Sequence, residues 1–341
     1  MDYLYVALGC LSVLSLCIGI LHTTVIQAIK SASWIKFLVV VASVAELTSS
    51  SFSLLVVLFL EARERSSGCQ SRPSAFLAVV FVMCFLLSHA FNIWLWASLA
   101  SLLSFSSREV TNSASCTLVS HRAAERRVVK TFVAVALICL PIFASHSIVP
   151  APHLLLTVES KYCFIVIPSF FGQLAEGLFL KLIYWSYFFT MLAVPTIALT
   201  IYALRYTQAS MKLRKTKCIA GARQPSKLTD DPSAPRQIVF AVSLCMAILQ
   251  VPVVHCMLAA GNDVTLFSLV AQRSRFVAIF TSFQLVCFVP PICYLSFSSL
   301  YRKHFAKECC CFTLALNAKF YGSEAASLLR SRRSGDAEVS V

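Results

Sequence analysis

The side chains in this chain that are equipped for chemistry are few and dispersed. His22, His89, His146 and His255 each fall in a different apolar run, and together they form no His/Asp/Glu or Ser/His motif. Fifteen cysteines are present. Most lie inside apolar runs, where the thiol behaves as a small hydrophobe, and no Cys/His cluster has the spacing of zinc ligands. No enzyme, metal or cofactor is therefore expected. Glu46 is the only acid within the apolar run 35–60. An ionisable group at that depth is costly, so a functional or paired role is its default reading. The chemistry left is recognition by an apolar wall carrying a few polar groups.

The elements that must position these residues follow from composition. Of 341 residues, 58% are apolar and 13% charged, and mean hydropathy is +0.78. An ordinary soluble domain is about half apolar and roughly a quarter charged, so lipid is the expected solvent. Seven runs reach the length of a bilayer crossing: 3–29, 35–60, 75–105, 129–149, 178–205, 237–259 and 277–300. The expected fold is all-α, a polytopic bundle of seven transmembrane helices followed by a short amphipathic eighth helix at 301–311. The first run lacks a basic n-region and a cleavage site, and is read as a retained helix rather than a signal peptide. The stretch 207–236, with Gly221, Pro225, Asp230-Asp231-Pro232 and Pro235, is expected to be a flexible loop, and 312–341 a disordered cytoplasmic tail.

Net charge is +14. Twenty-two of the 29 Lys and Arg lie in the connectors at 30–36, 106–130 and 205–236 and in the tail, and seven in the alternate set. Cytoplasmic loops carry that excess, which puts the N-terminus outside and the tail inside. It also makes membrane lipid, and not nucleic acid, the expected partner of the charge.

The end of the seventh run reads Pro290-Pro291-Ile-Cys-Tyr294-Leu-Ser-Phe-Ser-Ser-Leu-Tyr301-Arg302-Lys303-His304-Phe305. It resembles the Asn-Pro-x-x-Tyr motif of rhodopsin-like G-protein-coupled receptors, with their aromatic-basic pair seven residues later. Pro290 replaces the usual Asn. Other marks differ: His22 stands where the first helix has Asn, no Asp-Arg-Tyr closes the third span, and Leu249-Gln250-Val251-Pro252 keeps the sixth-helix proline without its Trp. Asn92-Ile-Trp94-Leu-Trp-Ala-Ser-Leu and Leu199-Thr-Ile-Tyr-Ala-Leu-Arg-Tyr-Thr-Gln-Ala-Ser-Met211 resemble bitter-taste and type 1 vomeronasal receptors.

The resemblance implies a receptor for an extracellular, small and weakly polar ligand, of chemosensory kind, that activates a heterotrimeric G protein, with a dimer left open. Switch and coupling positions would be Glu46, Arg108, Pro252, Pro291, Tyr294 and Arg302. Glu46 matches the family's sodium or water site, which Gln284, Ser98 and Tyr294 would complete; the alternative is a protonated acid bonded to a neighbouring helix. Ligand-facing candidates are Phe85, His89 and Asn92 on the third span, Lys181, Tyr184 and Trp185 on the fifth, His255 on the sixth and Gln284 on the seventh. Interface anchoring is the alternative for Lys181 and Trp185. Cys69 and Cys163, in the outer loops, would form the family's disulfide, or remain two thiols. Cys309, Cys310 and Cys311 sit where palmitoylation would anchor the eighth helix, or are free.

Rival classes fit less well. A retinal pump needs a Lys in the last span, and 277–300 has none. A small multi-span transporter or channel component would carry several charges at membrane depth, where Glu46 stands alone.

Overall fold

Inside lipid a backbone can satisfy its polar groups only within the segment or in a closed barrel, and each long apolar run here is helical. The structure is a computed structural model that describes residues 3–29, 34–65, 72–109, 121–150, 164–168, 178–220, 234–260 and 273–309. It comprises α1 (Tyr3–Ala28), α2 (Trp34–Arg65), α3 (Arg72–Glu109), α4 (His121–Ala144), β1 (His146–Pro150), β2 (Phe164–Pro168), α5 (Leu178–Tyr187), a π-helical turn (Phe188–Ala193), α6 (Val194–Ala220), α7 (Ala234–Ala260) and α8 (Arg273–Phe297). A last helix, α9, covers 299–309. Among the described residues, seven stretches are long and apolar enough to cross a membrane; α5, the π turn and the start of α6 form the fifth.

α1 packs on α2 and α8, α2 on α3, α6 on α7 and α7 on α8, while α3 also meets α4, α6 and α7. α3 is thus the central strut, and its Phe85, Ile93, Leu95, Trp96 and Leu99 are buried in the main core. The opposite condition holds outside. Leu137, Leu140, Ile197, Ile248 and Val251 are apolar yet more than half exposed, a surface suited to hydrocarbon.

Small polar residues bring α1 and α2 together. Ser15 and Ser50 share a hydrogen bond of 2.9 Å, the Ser53 hydroxyl lies 3.4 Å from that of Ser12, and a Cβ on Gly19 would meet Leu47 at 3.5 Å. In lipid such packing and interhelical hydrogen bonds, rather than water exclusion, hold helices together.

Several boundaries depart from expectation. The fourth span, expected at 129–149, is His121–Ala144. It starts early because Ala123, Ala124, Glu125, Arg126 and Arg127 are strong helix formers. Its last α-helical bond is that of Ser145 N–H to Pro141 O at 3.0 Å; the next acceptor, Ile142 O, is taken instead by side chains, the Ser145 hydroxyl at 2.7 Å and His146 Nδ1 at 2.8 Å. The bundle is all-α as expected, and the next residues add one short strand pair to it. His146–Pro150 pairs antiparallel with Phe164–Pro168, Ile148 opposite Val166, where β-branched residues favour extended backbone. We call this the hairpin end of the bundle and the opposite one the α9 end.

The fifth span is also irregular. Val194 N–H bonds Phe189 O, five residues back. That leaves Thr190 O without its α-helical donor, and the residue five ahead, Pro195, has no N–H to give. The Trp94 indole N–H fills the gap, donating to Thr190 O at 3.2 Å. α8 begins at Arg273, ahead of the expected 277, and ends at Phe297 rather than 300.

Candidate functional site

Polar side chains inside the bundle must find partners on neighbouring helices, and here they do so in three groups. The first is centred on Glu46, which is buried. Its Oε1 accepts Nδ2–H of Asn92 at 3.3 Å and Nε1–H of Trp96 at 3.2 Å. Both donors lie on α3, at the i, i+4 spacing that puts them on one helix face. Oε2 has no partner among the described residues, nor has Asn92 Oδ1. The expected companions sit elsewhere: Gln284 donates from Nε2 to Ser53 Oγ, and neither Ser98 nor Tyr294 bonds the carboxyl. Asn92, one of the ligand-facing candidates, links α3 to Glu46 of α2.

The second group lies one turn towards the hairpin end. His89 packs closely against Phe283, ring centroids 3.9 Å apart and planes tilted by 35°, and Phe85 packs against Phe280 and Phe283. Gln250 Nε2 donates to His89 Nε2 at 3.3 Å, so that nitrogen accepts and the ring proton sits on Nδ1. Gln250 Oε1 and Gln284 Oε1 are buried without partners among the described residues. Phe85 and His89 of α3 thus meet Phe283 of α8 and Gln250 of α7, while the side chain of Gln284 bonds Ser53 of α2.

The third group is at the α9 end. His22 Nδ1 and the Tyr301 hydroxyl are 2.8 Å apart, both buried, and Tyr294 packs against each at centroid distances of 5.4 and 5.3 Å. Burial pushes the Tyr301 phenol up, which keeps it a neutral donor. The α8–α9 joint is capped from both sides. Ser298 Oγ accepts Tyr301 N–H at 3.1 Å, the bond an N-cap makes. Arg302 Nη1 donates to Leu295 O and Ser296 O at 3.0 and 3.1 Å, a cation on the orphan carbonyls of a helix end. Pro290 and Pro291 are buried one turn before Tyr294.

At the hairpin end, His146 Nδ1 lies 2.8 Å from Ile142 O. A carbonyl only accepts, so Nδ1 donates and Nε2 is left to accept the Tyr184 hydroxyl at 3.4 Å. Burial holds this imidazole below its usual range, partly offset by the Ile142 carbonyl. Tyr184 is buried, whereas Lys181 and Trp185 are half-buried, and Trp185 packs on Phe188 and Phe189. His255 and Pro252 are exposed on the outer side of α7, away from the Gln250 group.

Arg108 lies in the last turn of α3, but its side chain falls outside the described residues. So do Cys69, Cys163, Cys310 and Cys311; Cys309 is half-buried at the end of α9. Sequence reasoning missed the roles of His22, Trp94, Trp96 and Gln250. A signal existed for all four: a polar or indole-bearing residue within an apolar run needs a partner. No protein-family model matches this chain, and no curated protein does.

Proposed function

We propose that this chain is a divergent G-protein-coupled receptor, N-terminus outside and tail cytoplasmic in the cell membrane, sensing a small, weakly polar ligand of chemosensory kind. The observation that carries the reading is the joint at Ser298. A proline-bearing seventh span carries Tyr294 in its last turn, ends at Phe297, turns through a serine cap, and starts a short helix whose Tyr301 meets His22 of the first span. The charge distribution supports the orientation, with the Lys- and Arg-rich connectors at the α9 end.

The ligand would reach the Phe85, His89, Gln250 and Phe283 group, and Gln284 next to Phe283 on α8, from the hairpin end. That group offers apolar walls, two unpartnered amide oxygens and no acid, which suits a neutral molecule able to donate a hydrogen bond. Binding would favour a state in which the α9-end tips of α6 and α7 separate to admit a G protein. Tyr294 and Arg108 are the coupling candidates, and the acylated cysteines would hold α9 at the headgroups.

The test is surface expression with a panel of G-protein activation sensors, comparing the wild type with Tyr294→Ala and Arg108→Ala. Signal that falls in both variants at equal surface level is the expected result. Signal indifferent to both, or none from correctly inserted protein under any ligand panel, overturns the assignment and favours a transporter or channel component.

A further inference from the structure

We propose that the first two turns of α4 form a binding site for an anionic phospholipid whose headgroup carries two or more phosphates, Arg122, Arg126, Arg127 and Lys130 gripping the headgroup while the outward face of α4 takes the acyl chains. A cleft of about 530 Å³ is lined by these four cations and Ala123. No acid lines it among the described residues. Glu125, the acid on this stretch, sits 3.6 Å from His121 instead. Arg127 is half-buried, and its Nη1 is shut off from solvent without a hydrogen-bond partner among the described residues. A buried guanidinium N–H left unpaired is costly, and a phosphate oxygen is the partner its geometry suits best.

Two features choose lipid over a soluble anion. The same helix continues from the cleft into an exposed apolar stripe of Val129, Phe132, Val133, Leu137 and Leu140, with Leu137 64% exposed. Apolar contact therefore begins within one turn of the cations, as the chemistry of a phospholipid changes from head to tail. The number of cations selects the headgroup. Phosphatidylserine carries one net negative charge and an ammonium that would face four positive groups, whereas a phosphoinositide brings several dianionic phosphates. The site requires only that α4 crosses a bilayer; it stands or falls independently of signalling.

The test uses the purified full chain and native mass spectrometry with dioleoyl phosphatidylinositol 4,5-bisphosphate, dioleoyl phosphatidylserine and free inositol trisphosphate. Wild type is expected to retain the phosphoinositide and release phosphatidylserine. Arg126→Gln with Arg127→Gln should weaken retention about tenfold or more, whereas Lys303→Gln with Lys307→Gln, the same charge change on α9, should not. Arg122→Gln alone, at an exposed position, should cause a smaller loss in the same direction should the double variant misfold. Equal loss in both double variants would mean diffuse charge and would overturn the site. Equal retention of phosphatidylserine would overturn the headgroup assignment. Free inositol trisphosphate binding as well as the lipid would remove the role of the apolar stripe.

Discussion

Glu46 concentrates two N–H donors on one oxygen, so its removal strands both Asn92 and Trp96. Glu46→Ala should lower stability by about 1–3 kcal/mol, the cost of buried donors left unmade. Glu46→Gln keeps an acceptor for both and should lose far less. Thermal unfolding of the detergent-solubilised chain distinguishes the two, and equal losses would mean that the carboxyl acts through its charge rather than these bonds. The His22–Tyr301 pair can be isolated in the same assay. A double-mutant cycle with His22→Phe and Tyr301→Phe should return a coupling of about 1 kcal/mol; zero coupling would leave the pair as mere ring packing. His146 gives a pH prediction. Its folded pKa lies below the 6.5 of a free imidazole, so the unfolded chain takes up that proton first as pH falls. Stability is complete above pH 6.5 and declines below it. His146→Gln should flatten that part of the decline in melting temperature against pH.

At the scale of the elements, the fifth span depends on Pro195 and Trp94 together. Trp94→Phe should cost about 1 kcal/mol by orphaning Thr190 O. In a Pro195→Ala background the new N–H can take that carbonyl, so the same substitution should cost less. A Trp94 penalty unchanged by Pro195→Ala would show that the indole bond owes nothing to the π turn. This scale also shows what the sequence could convey. Apolar run length located all seven spans, because lipid imposes one requirement on every crossing. It misplaced α4, since basic residues such as Arg122 and Arg126 extend a helix beyond hydrocarbon without adding hydropathy. The β1–β2 pair was hidden because Ile148-Val149 reads equally as the end of an apolar helix. The π turn was invisible because one extra residue leaves composition untouched. Partners fared worse than positions. Glu46 was legible as a buried group, but that Asn92 and Trp96 bond it depends on the rotation of α3 against α2, which apolar residues on every side leave unspecified.

For the whole molecule, orientation is the property on which the receptor reading turns. A tag fused before Met1 should be accessible on unpermeabilised cells, and one fused after Val341 only after permeabilisation. Moving basic residues from the 205–236 connector to the 61–74 connector should erode that difference; insensitivity to such transfer would mean that something other than charge sets the orientation.

The His22–Tyr301 contact joins residues 279 positions apart. At about 5–20 residues per second of synthesis, roughly a quarter of a minute to a minute separates the emergence of the two from the ribosome. Throughout that interval the imidazole of the first helix waits with a vacancy that Tyr301 fills. The serine contacts with α2 are available early to hold the helix in place. Maturation of the bundle around α1 therefore waits on the synthesis of Tyr301, and truncation just short of that residue should leave α1 prone to capture by quality-control machinery.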